Sequence, residues 1–280
     1  MAGMGRNIRR VPVVRWQAEA PARSRDTLVV EEPLEMRIAG QQLSVTMRTP
    51  GDDFDLAAGY LVGEGVIRTA DQLARMRFCG DGATENTYNV IDIDLAAGVA
   101  PPHRSLHRNT YTTSACGVCG KSSIEEVHAN AHWSVADDPV RVSPKILYGL
   151  PNSLREGQRL FEQTGGLHAA GLFTADGDPL CIREDIGRHN AVDKVVGWAL
   201  RDGRLPLRGT LLAVSGRASF ELVQKAAAAG IPLLAAVSAP SSLAVELAQS
   251  AGMTLAAFVR GEKATIYAGE ERISGDDNLA

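Results

Sequence analysis

Two thiols carry the sharpest chemical signal in this 280-residue chain: Cys116 and Cys119, within Thr112-Thr113-Ser114-Ala115-Cys116-Gly117-Val118-Cys119-Gly120-Lys121. Two thiolates at this spacing can bind zinc, form a redox disulfide, or carry sulfur as a persulfide. His128 and His132 would complete a Cys2His2 set and would share one helical face. However, only eight residues separate Cys119 from His128, where zinc fingers place about 12, and no ββα pattern surrounds them. A thioredoxin-type motif belongs in a βαβ context, whereas this pair closes a Pro-, His-, Thr- and Ser-rich stretch that begins at Ala96. A persulfide carrier must collect sulfur from one protein and deliver it to another site, so it should be exposed, glycine-flanked and able to swing. Lys121 and a helix opening at Ser122 or Ser123 would lower the thiol pKa, which on proximity alone favours Cys119 as the nucleophile.

A second pattern suits anions. Val214-Ser215-Gly216 ends a strand that feeds a helix, leaving free N–H groups and a positive dipole end beside Arg217, where a phosphate or diphosphate would fit. An ordinary tight turn with a surface arginine explains the same residues. His189, near the start of another helix, reads equally well as a histidine bonded to a carbonyl. Of the remaining cysteines, Cys79 sits in a turn, Phe78-Cys79-Gly80-Asp81-Gly82, and Cys181 lies inside a strand as a small buried thiol.

These groups need a scaffold, and 280 residues with 45% hydrophobic and 22% charged composition can build a core without disulfides. A net charge of −4, from 29 basic and 33 acidic residues, with 5% aromatics excludes a nonspecific nucleic-acid binder. The arginines at 6, 9 and 10 precede no apolar run, so no export signal is expected. The uncharged stretch Ala226 to Val245 contains Gly230, Pro232, Pro240 and three serines, and it reads as buried strand and turns instead of a membrane span. A cytoplasmic protein with reduced thiols is the expectation.

Residues 1–27 are expected to be a flexible N-terminus and residues 28–145 a small α+β unit with the cysteine loop. In that unit Leu34 to Ile38 and Leu43 to Met47 alternate as a hairpin, Leu56 to Ile67 looks helical but is loosened by three glycines, and Tyr88 to Leu95 alternates as a strand. Residues 146–280 have a clearer rhythm. Ser153-Leu154-Arg155-Glu156 reads as a capping box opening a helix that stops at Gly165-Gly166. A hairpin then turns at Asp176-Gly177-Asp178, a helix spans Arg188 to Leu200, and strands at 211–214, 233–237 and 253–259 alternate with helices at 219–229 and 242–251. The order α, β-hairpin, α, β, α, β, α, β is that of the cytidine-deaminase fold, so an α/β, three-layer, deaminase-like sheet with a smaller N-terminal α+β unit is expected. Zinc deaminases also need His-x-Glu and Pro-Cys-x-x-Cys at two helix starts. Arg188-His189-Asn190-Ala191 lacks the Glu and Ser215-Gly216-Arg217-Ala218-Ser219 lacks both cysteines, which removes deamination.

Six segments in order resemble the FdhD-type formate dehydrogenase accessory sulfurtransferases: Glu32 to Ile38, Met47-Arg48-Thr49-Pro50-Gly51, Cys116 to Gly120, Gly166-Leu167-His168-Ala169-Ala170, Glu184 to Lys194, and Ser215 to Ser219. The resemblance spans residues 28–268. It implies a cytoplasmic, homodimeric sulfur carrier that takes persulfide sulfur from a cysteine desulfurase. Such a carrier passes the sulfur to the bis-molybdopterin guanine dinucleotide cofactor, a cargo bound through its guanine-nucleotide moiety, before that cofactor enters formate dehydrogenase. By motif, Cys116 bears the persulfide, against the helix-proximity argument; Cys119 is expected to assist or to resolve the persulfide. The family's cofactor segment falls on Phe258, Val259, Arg260, Gly261, Glu262 and Lys263, to which Ser215, Gly216, Arg217 and His189 add an anion-binding edge; zinc is not expected. Arg260 and Lys263 suit phosphates and Phe258 suits stacking on guanine, whereas acidic Glu262 fits poorly. Two rivals stand beside this reading: a zinc-stabilised structural module, and a catalytically inactive deaminase relative that binds guanine nucleotides.

Overall fold

The structure, a computed structural model, describes residues 7–16, 20–79, 88–100 and 132–274. Cys116 and Cys119, with Lys121 and His128, lie outside the described residues.

The chain opens with a two-stranded antiparallel hairpin, β1 (Ile8–Trp16) and β2 (Pro21–Val29), where a flexible lead-in was expected. Its strands alternate only weakly in polarity because most of their side chains remain in solvent, which is why pattern reading passed over them. Next comes a four-stranded sheet ordered β4-β3-β6-β5, built from β3 (Glu32–Ile38), β4 (Gln41–Arg48), β5 (Leu73–Phe78) and β6 (Val90–Leu95). The β3–β4 hairpin is the one expected, turning at Ala39 and Gly40, both with positive φ. Alternation drives its packing, since Leu34, Met36 and Ile38 point inward beside Leu43, Ile91 and Ile93.

The second sheet has six strands in the order β12-β11-β10-β9-β7-β8. They are β7 (His168–Phe173), β8 (Pro179–Asp185), β9 (Leu211–Val214), β10 (Leu233–Ala236), β11 (Thr254–Arg260) and β12 (Lys263–Ala268). Strands β9, β10 and β11 run parallel, β7 and β8 form the expected hairpin, and β12 adds an antiparallel edge strand where none was expected beyond residue 259. The strand cores are apolar on both faces, as strands covered by helices on both sides require. Leu212, Val214, Leu234 and Ala236 join one buried cluster with α4 (Arg188–Arg201), α5 (Phe220–Ala228) and α6 (Ser242–Ala251). Leu211, Ala213, Leu233 and Ala235 join another with α2 (Pro144–Glu156). Helix, sheet and helix thus make the three expected layers.

The helix expected to begin at Ser153 begins ten residues earlier. Ser143 is its N-cap, accepting from Ile146 N at 3.4 Å, and Pro144 occupies the first helical position, so Ser153 belongs to the last turns of α2. A separate short helix, α3 (Arg159–Thr164), ends at Gly165 in the left-handed conformation.

The N-terminal sheet is tied to the six-stranded one through α1 (Asp53–Gly63), which lies directly on α4. A Cβ on Gly59 would fall 1.9 Å from Asp193 O, and one on Gly197 would fall 1.8 Å from Asp55 O. Gly59, one of the glycines expected to loosen α1, and Gly197 of α4 are therefore what lets the two backbones touch. One buried cluster runs without a break from Leu34 and Ile91, through Leu56 and Leu61, to Val192, Leu222 and Leu255. Among the described residues no helix is long and apolar enough to cross a membrane.

Candidate functional site

The carboxyl ends of β9, β10 and β11 share one edge, and the loops leaving them are stitched together by backbone hydrogen bonds. Ser238 N donates to Gly216 O at 3.3 Å, Phe258 N donates to Ser238 O at 3.2 Å, and Ala218 N donates to Ala239 O at 3.1 Å. Ser219 and Ser241 cap α5 and α6 at the same edge, and the Ser241 hydroxyl accepts from Ala244 N. A crevice outside the carboxyl ends of parallel strands, flanked by helix N-termini, is where open α/β sheets bind anionic ligands.

The two stretches singled out from sequence meet here. Ser215 holds the edge closed, its N donating to Ala169 O and its Oγ accepting from Ala169 N at 2.9 Å. Gly216 follows, with Arg217 exposed beside it. Phe258 is half-buried against the core with φ of 52°, a left-handed backbone that a bulky residue rarely adopts. It coincides with a break in the β11–β12 register between Ala257 and Arg260, so the strand bulges where it reaches the crevice. Val259 is buried in the opposite core. Arg260 pairs with Lys263 across a tight turn formed by Gly261, φ 58°, and Glu262, and all four are exposed. The proposed cofactor segment is therefore a bulge followed by a hairpin tip.

His189, in the first turn of α4, meets side chains where a bond to a carbonyl was the alternative. Its Nε2 lies 3.2 Å from Ser219 Oγ and 3.0 Å from Glu221 Oε2, fastening the start of α4 to the start of α5.

Two more groups at this edge escaped the sequence reading. A Cβ on Gly216 would lie 3.3 Å from His168 Nδ1 and 3.9 Å from Arg188 Cδ, so both side chains flank that glycine. Burial pushes His168 below the ordinary histidine range, and Arg188, His189 and Arg217 add to the shift while Asp185 opposes it. His168 stands within the Gly166 to Ala170 segment and Arg188 within the Glu184 to Lys194 segment, but their convergence depends on β7 pairing antiparallel to β9, which spacing does not reveal.

The Glu184 to Lys194 motif has a different duty. Asp185, fully buried, accepts from Thr49 N at 3.1 Å, Gly187 N at 2.8 Å and Asn190 Nδ2 at 2.9 Å, and it pairs with Lys194 Nζ at 2.8 Å. Asn190 also donates to Met47 O, and Lys194 to Thr49 O. Glu184 accepts from Leu160 N and Phe161 N at the start of α3. The Met47 to Gly51 and Glu184 to Lys194 motifs are thus the two halves of one buried joint that sets α4, and with it Arg188 and His189, at the crevice.

The model of the FdhD/NarQ family matches residues 29–274. The chain belongs to the FdhD/NarQ family. A relative named sulfur carrier protein FdhD from Streptomyces avermitilis is 58% identical over 275 residues, covering 97% of each chain. One of the same name from Mycobacterium tuberculosis is 52% identical over 254 residues, covering 89% of this chain and 92% of the relative. A crystal structure of a Desulfotalea psychrophila protein assigned as a formate dehydrogenase accessory protein superposes with a TM-score of 0.75 at 24% identity, over 95% of this chain and 99% of that one. At that identity the superposition speaks for the FdhD/NarQ fold alone.

Proposed function

We propose that this protein is a sulfur carrier and sulfurtransferase that serves formate dehydrogenase in the cytoplasm, acting as a homodimer. The observation that carries this reading is the near full-length identity to proteins named sulfur carriers. The Cys116 thiolate attacks the terminal sulfur of a cysteine desulfurase persulfide. The S–S bond breaks, the desulfurase thiolate leaves, and Cys116 holds the sulfur as its own persulfide. Cys119 assists. The recipient is the bis-molybdopterin guanine dinucleotide cofactor, a cargo held at the carboxyl edge of β9–β11. There Phe258 offers a ring for guanine, and the exposed Arg260 and Lys263 at the hairpin tip, with Arg217 and the helix starts near Ser215 and Gly216, offer charge for the phosphates.

Mass spectrometry after incubation with a cysteine desulfurase and cysteine tests the sulfur half. One added sulfur atom is expected on the Cys116 peptide, and an unmodified Cys116 beside a labelled desulfurase overturns the assignment. GDP tests the cargo half as a mimic of the guanine-nucleotide moiety. Saturation is expected, weakened by Arg260→Ala by about tenfold, as loss of one charge-assisted hydrogen bond implies. Light scattering on a sizing column tests the dimer.

A further inference from the structure

We propose that the outer edge of β5, with the apolar groove beside it, is a docking site for an extended acidic segment of a partner protein, which adds there as a fifth strand. The proposal goes beyond the sulfur-carrier reading and does not depend on it.

β5 closes one side of the four-stranded sheet. β6 takes one of its edges, and among the described residues no strand takes the other. A groove of about 330 Å³ opens there, lined by the consecutive residues Leu73 to Met76, by Phe54 in the first turn of α1, and by Leu200 and Arg201 at the end of α4. Successive side chains of a strand point to opposite faces, so four in a row line a groove only where it runs along the strand's edge. The groove therefore offers what strand addition needs, main-chain groups on the side away from β6 and a pocket for alternate side chains. It lies at the far end of the 14-residue α4 from Arg188, roughly 20 Å from the crevice at the carboxyl edge.

The charges specify the occupant. Two arginines and no carboxylate line the groove. Arg75 is exposed and forms no ion pair among the described residues, while Arg201 shares Asp55 with Arg183. On the inner edge, β6 shows which kind of strand β5 accepts. Its sequence Val90-Ile91-Asp92-Ile93-Asp94-Leu95 alternates apolar and acidic residues, setting Asp94 opposite Arg75 and Asp92 opposite Arg77, and Asp92 Oδ2 accepts from Arg77 Nη2 at 2.8 Å. Met76, between the arginines, packs against the core on the other face. A strand on the outer edge meets the same alternation, so two carboxylates two residues apart, with apolar residues between and beside them, fit in either direction. A second copy of β5 does not fit, because pairing about a two-fold axis sets Arg75 and Arg77 near their own images, and like charges destabilise a ladder. The arginines that protect this edge from its own kind thus select an acidic strand. Ala96, at the start of the stretch that leads to Cys116, donates to Gln72 O at 2.9 Å, so the added strand sits beside the root of that stretch.

Fluorescence anisotropy on the full chain tests the site, with a labelled peptide Asn-Val-Ile-Asp-Ile-Asp-Leu-Ala that copies residues 89–96. Saturable binding is expected, weakened by added salt and weakened about tenfold by Arg75→Glu, which turns one attraction into a repulsion. Exchanging both aspartates of the peptide for asparagine should weaken it in the same direction. Two further peptides test main-chain pairing, one N-methylated on both aspartates and the other on both isoleucines. A strand at an edge turns every second N–H to its neighbour, so one of the two should bind nearly as the parent does and the other should fail. Equal thermal midpoints show that Arg75→Glu folds. Absence of saturation, saturation that ignores Arg75→Glu, or equal behaviour of the two methylated peptides overturns the proposal. Light scattering overturns it as well, and assigns the edge to a second copy, if the parent peptide splits an oligomer that Arg75→Glu also splits.

Discussion

Cys181 shows that a thiol's surroundings decide what it does. It lies within β8, buried, and burial pushes its pKa up to about 12, so at pH 8 it is a thiol and not a nucleophile. Iodoacetamide at pH 8 should spare Cys181 in the native protein and modify it once denatured, and Cys181→Ser should load sulfur as wild type does. This residue was legible, because a cysteine at an inward position of a strand has one ordinary explanation. Asp185 was not legible. Its motif stood out, but its task depends on a partner at Thr49, 136 residues away in sequence. Replacing Lys194 by Met leaves that carboxylate buried without its cation and should cost about 3–5 kcal/mol in chemical denaturation, as removal of one partner of a buried pair does. The nucleotide binding proposed above should weaken alongside, since Arg188 and His189 ride on the same helix.

At the scale of elements, strands and helices with strong periodicity were read to within a residue or two: β9 at 211–214, α6 at 242–251 and the β7–β8 hairpin. The misreadings have specific causes. Ser153 and Glu156 imitate a capping box, while the true cap at Ser143 is announced only by the proline that follows it. The α1 glycines weaken an isolated helix, so a local reading counts them against it, whereas tertiary contact is what requires them. Gly197→Ala would place a methyl 1.8 Å from Asp55 O, so α1 and α4 must separate. A loss of about 3 kcal/mol or more is expected in urea unfolding, at the upper end for overpacking because backbone cannot yield as a side chain does. Alanine at Gly149, where a Cβ meets nothing within 4 Å, should leave stability within about 1 kcal/mol of wild type or raise it.

At the scale of the whole molecule, two sheets suggest two folding units, but the continuous core and the Asp185 joint bind them into one cooperative body. Urea unfolding followed by Trp fluorescence and by far-ultraviolet circular dichroism should therefore give coincident single transitions. A second buried pair, Lys225 Nζ to Asp193 Oδ1 at 2.6 Å, joins α5 to α4 and adds to that cooperativity. What lay beyond the sequence at this scale was the partnership of its motifs. Six segments could be recognised singly, yet only the folded chain shows that two of them form a joint and that two others share an edge.

The contact of α1 with α4 has a mechanical corollary. Where helices meet through side chains, rotamers act as lubricant and the helices can shear by small steps. Where Gly59 and Gly197 bring main chain against main chain, no such lubricant exists, and the two sheets are keyed like a shaft to its hub. Any movement needed to admit a bulky cargo must then come from the loops around the crevice. Labels placed on β4 and α6 should hold a constant separation whether or not nucleotide is bound.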